Sequence, residues 1–434
     1  MTKVKNILIN TSYDQISVFN YRYGTIITMQ PRNAEITIIG GGSIGCAVAY
    51  YLAREGYRDL QILERSEIAS QTTAQAAGLV GQVRPTKERT LLAMESVKTF
   101  SKLYEETGVD PDWRQTGSLR LSLSHSRDKE FIALAEVAAS VGLEVEFLDK
   151  HRIKDFVPQI GSELITSAIW CPSDGYLQPT SLVNSYLAGA KSLGVSIATN
   201  CEVTQIEVKQ NTVVALQTDQ GKVSTSLVIN CAGPWARDIA MMVGVDLPVV
   251  PVRHEYFITD TVDGWHPSLP VLRIPDVRLY VRAELDSILC GGWEASAKSL
   301  PLNHPTTAFM SPDTDFEVLN QFHTDLARLV PNIDDIGLRS VLKGYPTFTP
   351  DGRFIIGPVA SPKGFVMAAG CNAHGVSGSA GIAKHLVESL TSSPSAYVLS
   401  LTPQRFQNQR TNDNELEQQA RSHYENYYSN SLLR

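Results

Sequence analysis

The chain has 434 residues, of which 43% are hydrophobic and 19% charged, and its formal net charge is −7. That length exceeds what one hydrophobic core organises, so two packed domains are expected. The acidic balance argues against nucleic acid or an anionic membrane surface as the main partner, and no apolar run approaches the ~18 residues of a membrane span.

The opening "MTKVKNILINTSYDQ" has no apolar segment followed by a small-residue cleavage site, so a cytoplasmic location is expected. Residues 1–33 read as an N-terminal extension to which no function is assigned. The six cysteines are far apart and form no C-x-x-C pair. Free buried thiols are expected, and no metal.

At 35–45 the chain reads "EITIIGGGSIG" and continues "CAVAYYLAREG". Gly40, Gly42 and Gly45 fit G-x-G-x-x-G between a β-branched strand and a helical pattern. Glycines there allow a tight turn, close approach of a pyrophosphate and close strand–helix packing, with the phosphates at the helix N-terminus. The second strand, "DLQILE", ends in Glu64, 19 residues after Gly45, where a carboxylate accepts both ribose hydroxyls. An adenine dinucleotide is therefore expected, with Ser43 and Ile44 completing the turn.

After Glu64 comes the small, hydroxylated stretch "RSEIASQTTAQAAGLVGQVRP". A helix is predicted over 86–107, a strand in "GSLRLSLS", and a helix over 129–141. "SLVINCAGPWARDIA" (226–240) and "GFVMAAGCNAHGVSGSAGIAKHLVESL" (364–390) each read as strand, small-residue turn and helix.

The order of these blocks resembles the D-amino-acid oxidase superfamily of FAD enzymes, and within it the flavin portion of dimethylglycine and sarcosine dehydrogenases. The stretches that carry the likeness are "TTAQAAGL", "GSLRL", "CPSDGYLQPTSLVNSYLAGAKSLG", "NCAGPWAR", "PVVPVRHEYFIT", "LYVRAELDSILCGGWE" and "YPTFTPDGRFIIGP". The likeness covers about 34–430. It implies α/β plus α+β architecture: a Rossmann-type FAD-binding domain of D-amino-acid oxidase/glutathione-reductase-2 type, with an antiparallel-rich substrate domain. The FAD domain would be discontinuous (34–85, 165–245 and 335–395), the substrate domain would span 86–164 and 246–334, and 396–434 would be a polar C-terminal tail.

The resemblance also implies further FAD contacts at Arg65, Thr72, Thr73, Gln75, Ala77, Gly78, Leu79, Val203, Ala232, Gly233, Trp235, Gly370, His374, Gly375, Val376 and Ser377. Two departures bear on attachment. The family's dehydrogenases attach FAD through a histidine in "W-H-A-A-G", where this chain has Gln75. Monomeric sarcosine oxidase uses a cysteine whose place here is near Gly344. Noncovalent FAD is expected. The family's larger members continue into a folate-binding domain, which the present sequence does not include.

On the substrate side, period two puts Val252, His254 and Tyr256 on one face, and Tyr280 and Arg282 on another. Tyr280 with Arg282 would clamp a substrate carboxylate, since Arg can bind it bidentately. His254 would stand beside the amine, with Arg84 and His374 near the flavin and Lys343 as a substitute anchor. The bland readings are an ion pair of Arg282 with Glu284 or Glu294, a half-buried sheet tyrosine, and a structural histidine. Where monomeric sarcosine oxidase carries its oxygen-activating lysine, this chain has Ser377, which favours a dehydrogenase.

The function implied is oxidation of a secondary or tertiary N-methyl amine, with O2 or an electron-transfer protein as acceptor. The chain would act as a homo-oligomer or as one subunit of a hetero-oligomeric oxidase. The alternatives are oxidation of a D-, cyclic or opine-type amino acid, and a non-catalytic regulatory subunit on the same fold.

Overall fold

The strand Ile36–Ile39 is wholly buried, and helix Ser43–Arg54 follows it after three glycines. The computed structural model describes residues 29–161, 163–302, 311–407 and 412–429, and most of the expected N-terminal extension lies outside these. Strand Ile36–Ile39 pairs in parallel with Leu60–Leu63 on one side and Leu227–Asn230 on the other. Ser196–Ala198 and Phe365–Ala369 extend this sheet, and Ile355–Pro358 closes one edge antiparallel. Helices Ser43–Arg54, Pro179–Ser192 and Ser379–Ser389 cover one face, and their apolar sides share one core with the strands. All-buried strands such as "ITII" and "FVMAA" are what a parallel sheet covered by helices requires.

The second sheet has eight strands, ordered Leu338–Gly344, His254–Thr261, Ser287–Gly292, Leu279–Glu284, Val271–Ile274, Ser118–Ser122, Ser167–Cys171 and Glu146–Asp149. Two expected domain boundaries are corrected by this order. Strands Ser167–Cys171 and Leu338–Gly344 belong to the substrate sheet, so the breaks at 165 and 335 come too early. Both strands complete an apolar face whose other half is far away in the chain, which local periodicity cannot reveal.

The helix predicted over 86–107 is interrupted, running as Lys87–Phe100 and Leu103–Thr107. Thr99 and Ser101 donate to the carbonyls of Glu95 and Val97, the i−4 back-bonding that bends helices. The tail is also corrected. Helix Asp413–Glu425 and the residues after it bury Ala420, Tyr424 and Tyr428 against Val250, Trp293 and Phe348. That face is apolar although the helix is polar elsewhere, so composition alone read it as tail. Among the described residues no helix is long and apolar enough to cross a membrane.

Candidate functional site

The register puts the carboxyl ends of three neighbouring strands together: Ile39 is level with Leu63 and with Asn230. Gly40, Glu64 and Ala232 therefore rim one cavity of about 250 Å3. A Cβ on Gly45 would stand 2.0 Å from the Gly40 carbonyl oxygen, so only glycine lets the helix approach the turn. Helix Ser43–Arg54 starts at Gly42 with no acid in its first turn; the Ser43 N–H is given to the Thr73 hydroxyl at 3.1 Å, and the dipole at this end is suited to an anion. The Glu64 carboxylate accepts from the Gly41 and Ser66 N–H groups, at 2.7 and 2.9 Å, which fixes it on the cavity rim.

Arg65, Thr72, Thr73, Val203, Gly233 and Trp235 line the same cavity, with the Arg65 guanidinium 3.8 Å over the Trp235 ring. Gln71, which the sequence reading missed, also lines it, and its Oε1 is buried without a hydrogen-bond partner. A helix start without acid in its first turn, a fixed carboxylate and an unpaired buried amide oxygen on one wall suit an adenine dinucleotide.

A second cavity of about 190 Å3 continues the first, sharing Gly42, Thr72, Thr73, Cys231, Gly233 and Pro234. Ser43, Ile44, Gln75, Ala77, Gly78, Leu79, His374, Gly375, Val376 and Ser377 line it. The Ser43 hydroxyl donates to the Gly375 carbonyl at 2.7 Å and ties the two turns together. Gly370 does not line either cavity; it packs against Thr349 at the end of its strand. Gln75 and Gly344 meet in one corner, since a Cβ on Gly344 would lie 2.1 Å from Gln75 Oε1.

His254 and Tyr280 also face this cavity. The His254 ring bridges two phenols, with Nε2 2.7 Å from the Tyr280 hydroxyl and Nδ1 2.9 Å from that of Tyr424. Burial lowers its pKa from 6.5 to about 4, so it is neutral at pH 7 and poorly suited to accept an amine proton. His374 is likewise held neutral, by burial and then by the fields of Arg84 and Arg89. Its Nδ1 donates to the Asn372 carbonyl at 2.7 Å, so its Nε2 accepts from the Tyr427 hydroxyl at 3.0 Å.

Arg282 is elsewhere, and its expected role is corrected. Its Nε donates to the Ala77 carbonyl at 2.8 Å, it pairs with Glu284 at 2.5 Å, and it lies over the Tyr176 ring. It is 2% exposed and does not line the cavity. Period two puts it on one face with Tyr280, two residues along the strand, but a carboxylate two residues on and a ring from strand Gly175–Tyr176 hold it. Lys343 points to Thr314, at 2.8 Å, and is also absent from the lining.

The cations on the wall are Arg84 and Arg273. They are 8% and 7% exposed, and among the described residues neither has a carboxylate within 4 Å. Arg84 donates to the Gly81 carbonyl at 2.8 Å, and Arg273 reaches the Tyr428 hydroxyl at 3.4 Å. Arg273 was missed because in "VLRIPD" it reads as a polar interruption of an apolar strand. Trp293 and Tyr427, also missed, stack at 3.7 Å between centroids over the same space. Burial alone would raise the Tyr427 pKa, but Arg84, Arg273, Arg120 and Arg89 together carry it below the ordinary tyrosine value.

The model of the FAD dependent oxidoreductase family matches residues 35–389. Sarcosine dehydrogenase, mitochondrial, of Mus musculus is 31% identical over 352 residues, covering 80% of this chain and 38% of its own. The 4-methylaminobutanoate oxidase (formaldehyde-forming) of Paenarthrobacter nicotinovorans is 30% identical over 388 residues, 89% of this chain and 47% of its own. The chain thus spans less than half the length of these curated relatives. Among solved structures, L-proline dehydrogenase from P. horikoshii has a TM-score of 0.78 at 23% identity, over 87% of this chain and 98% of that one.

Proposed function

The chain belongs to the FAD dependent oxidoreductase family, and from that premise we propose that it oxidises a secondary or tertiary N-methyl amine bearing a carboxylate. FAD, when bound, supplies the electron sink that such an oxidation needs. The substrate's N-methyl group loses a hydride, and water adds to the resulting iminium to give the demethylated amine, formaldehyde and a proton. Similarity to sarcosine dehydrogenase and to a formaldehyde-forming oxidase supports this class of substrate.

The observation that carries the reading is the pair of buried guanidiniums on the wall that also holds His254 and Tyr280. A buried charge without a counter-charge is costly, and a substrate carboxylate between Arg84 and Arg273 offsets that cost. His254 acts here as a positioning residue: neutral and hydrogen-bonded at both nitrogens, it fixes the Tyr280 hydroxyl toward the substrate. Trp293 and Tyr427 exclude water above it. On the cofactor side, Glu64 would hold the ribose and the helix start after Gly42 the pyrophosphate. With an amide at Gln75 and no side chain at Gly344, FAD is held noncovalently.

The test is an anaerobic bleaching screen of the yellow protein with sarcosine, dimethylglycine, N-methylproline, 4-methylaminobutyrate and D-proline. Bleaching by one or more of the N-methyl amines, and not by D-proline, is expected. Bleaching by D-proline alone would move the assignment to cyclic amino acids, and no bleaching by any of these or by a longer N-methylated amino acid such as N-methylglutamate would point to a non-catalytic protein. Ser377 supports an electron-transfer protein over O2 as acceptor, with reoxidation slow in air.

A further inference from the structure

The substrate cavity lies against a larger chamber of about 510 Å3, and the two share Arg84, His374, Ser377 and Tyr427 as walls. Arg89, Arg120 and Arg353 line this outer chamber. Among the described residues none of the three has a carboxylate within 4 Å. Their hydrogen bonds go instead to the Gly352 carbonyl, the Val83 carbonyl and the Ser400 hydroxyl. The acids that line the chamber are otherwise engaged or turned to solvent: Glu130 pairs with Arg127, Asp351 with Arg405 at 2.7 Å, and Glu88 is exposed.

The sheet sharpens the point. Arg120 and Arg273 are register partners on neighbouring parallel strands, and Arg273 is in turn level with Tyr280. Like charges directly opposite on adjacent strands destabilise a sheet, and both side chains here converge on Tyr428. Asp174 and Glu130 act on the two arginines only from beyond ion-pair distance. Two like charges in one row cost the sheet, and a ligand with negative charge at both ends offsets that cost.

Resting on the amine-oxidation reading, we propose that the substrate is a dianion: one carboxylate lies between Arg84 and Arg273, and a second anionic group reaches the outer chamber at Arg120 and Arg89. The substrate class is an N-methylated amino dicarboxylate, with the chain between its acid groups crossing the gap beside Tyr427. The chamber then discriminates against sarcosine-sized substrates, which fill only the inner site.

The test uses binding, which requires no turnover. The FAD-loaded protein is titrated with glutarate, with butyrate (glutarate without its second carboxylate) and with inorganic phosphate. Perturbation of the visible flavin spectrum and the shift in melting temperature are both recorded. Glutarate is expected to bind at least about tenfold more tightly than butyrate. Arg120→Gln should abolish that preference while leaving butyrate binding unchanged, and Arg89→Gln, on the same chamber, provides the same test should Arg120→Gln not fold. Equal affinity for glutarate and butyrate in the wild type would overturn the proposal, as would an unchanged preference in both variants. Phosphate displacing glutarate at lower concentration than butyrate does would overturn the dicarboxylate class in favour of a phosphorylated ligand. A protein that prefers glutarate yet is bleached by no amine, N-methylglutamate included, would refute amine oxidation and leave the anion chamber standing.

Discussion

The nucleotide turn and the arginine wall line adjoining cavities, yet they are built in opposite ways. The turn is local: strand, glycines, helix and acid follow within about thirty residues, and each element is explained by its neighbours. The wall draws Arg84, Arg120, Arg273, Tyr280, Trp293 and Tyr427 from six separate segments, held together only by sheet register and by a C-terminal helix. The turn tolerates little because its atoms are in contact. The wall is costly to folding because its charges lack partners, which marks it as the part answerable to a ligand.

Breaking the turn should give the largest effect. Gly45→Val forces side-chain atoms onto the Gly40 carbonyl oxygen, an overpacking cost of about 3 kcal/mol or more. The expected outcome is a protein purified colourless, checked by its visible absorbance. A yellow variant would mean the helix can shift without losing the cofactor.

Breaking the wall should leave the colour and remove the substrate. Truncating one partner of a buried charge-assisted contact costs about 2–5 kcal/mol, so Arg84→Gln and Arg273→Gln should each weaken binding of the best substrate by that amount. Arg282→Gln should act on stability instead, because it leaves Glu284 without its partner. A lowered melting temperature with unchanged substrate affinity is expected.

The corner shared by Gln75 and Gly344 gives a yes-or-no comparison. Acid precipitation should leave the yellow colour in the supernatant. Colour in the pellet would indicate attachment at another residue, and Cys371, a half-buried cysteine lining the cavity, would be the first to replace.

The smallest effect is electrostatic. His254 has a folded-state pKa of about 4 against 6.5 in the open chain, so the unfolded state binds more protons between these values. The stability it contributes is complete above about pH 6.5 and is lost as pH falls toward 4. His254→Asn should flatten the fall in melting temperature across that window. An unchanged slope would assign the fall to other groups, such as His374.

Much of this molecule was legible in its residues. The glycine spacing, Glu64 and the small-residue turns at 232–233 and 374–377 each carry their own context, and the cavities form around them. Tyr280 and His254 line the cavity, as period two and the family likeness together expect. Period two could not point to Arg273, because a face is shared by everything on it: Arg282 lies beside Tyr280 in sequence, while Arg273 lies beside it in register, one strand away. The same limit hid the tail. Tyr424, Tyr427 and Tyr428 read as a polar segment's aromatics until the sheet supplied Trp293 and His254 as their partners. Sequence reports pairs close along the chain, whereas a site made by strand order needs the order first.

The central claim is that Arg84 and Arg273, and not Arg282, hold the substrate carboxylate. The direct measurement is anaerobic flavin reduction by the best amine of the screen, at varied concentration, in the wild type, Arg84→Gln and Arg282→Gln. The account predicts an apparent Kd raised about thirtyfold or more in Arg84→Gln, the equivalent of 2 kcal/mol or above, and essentially unchanged in Arg282→Gln. A large rise in Arg282→Gln with none in Arg84→Gln would contradict it.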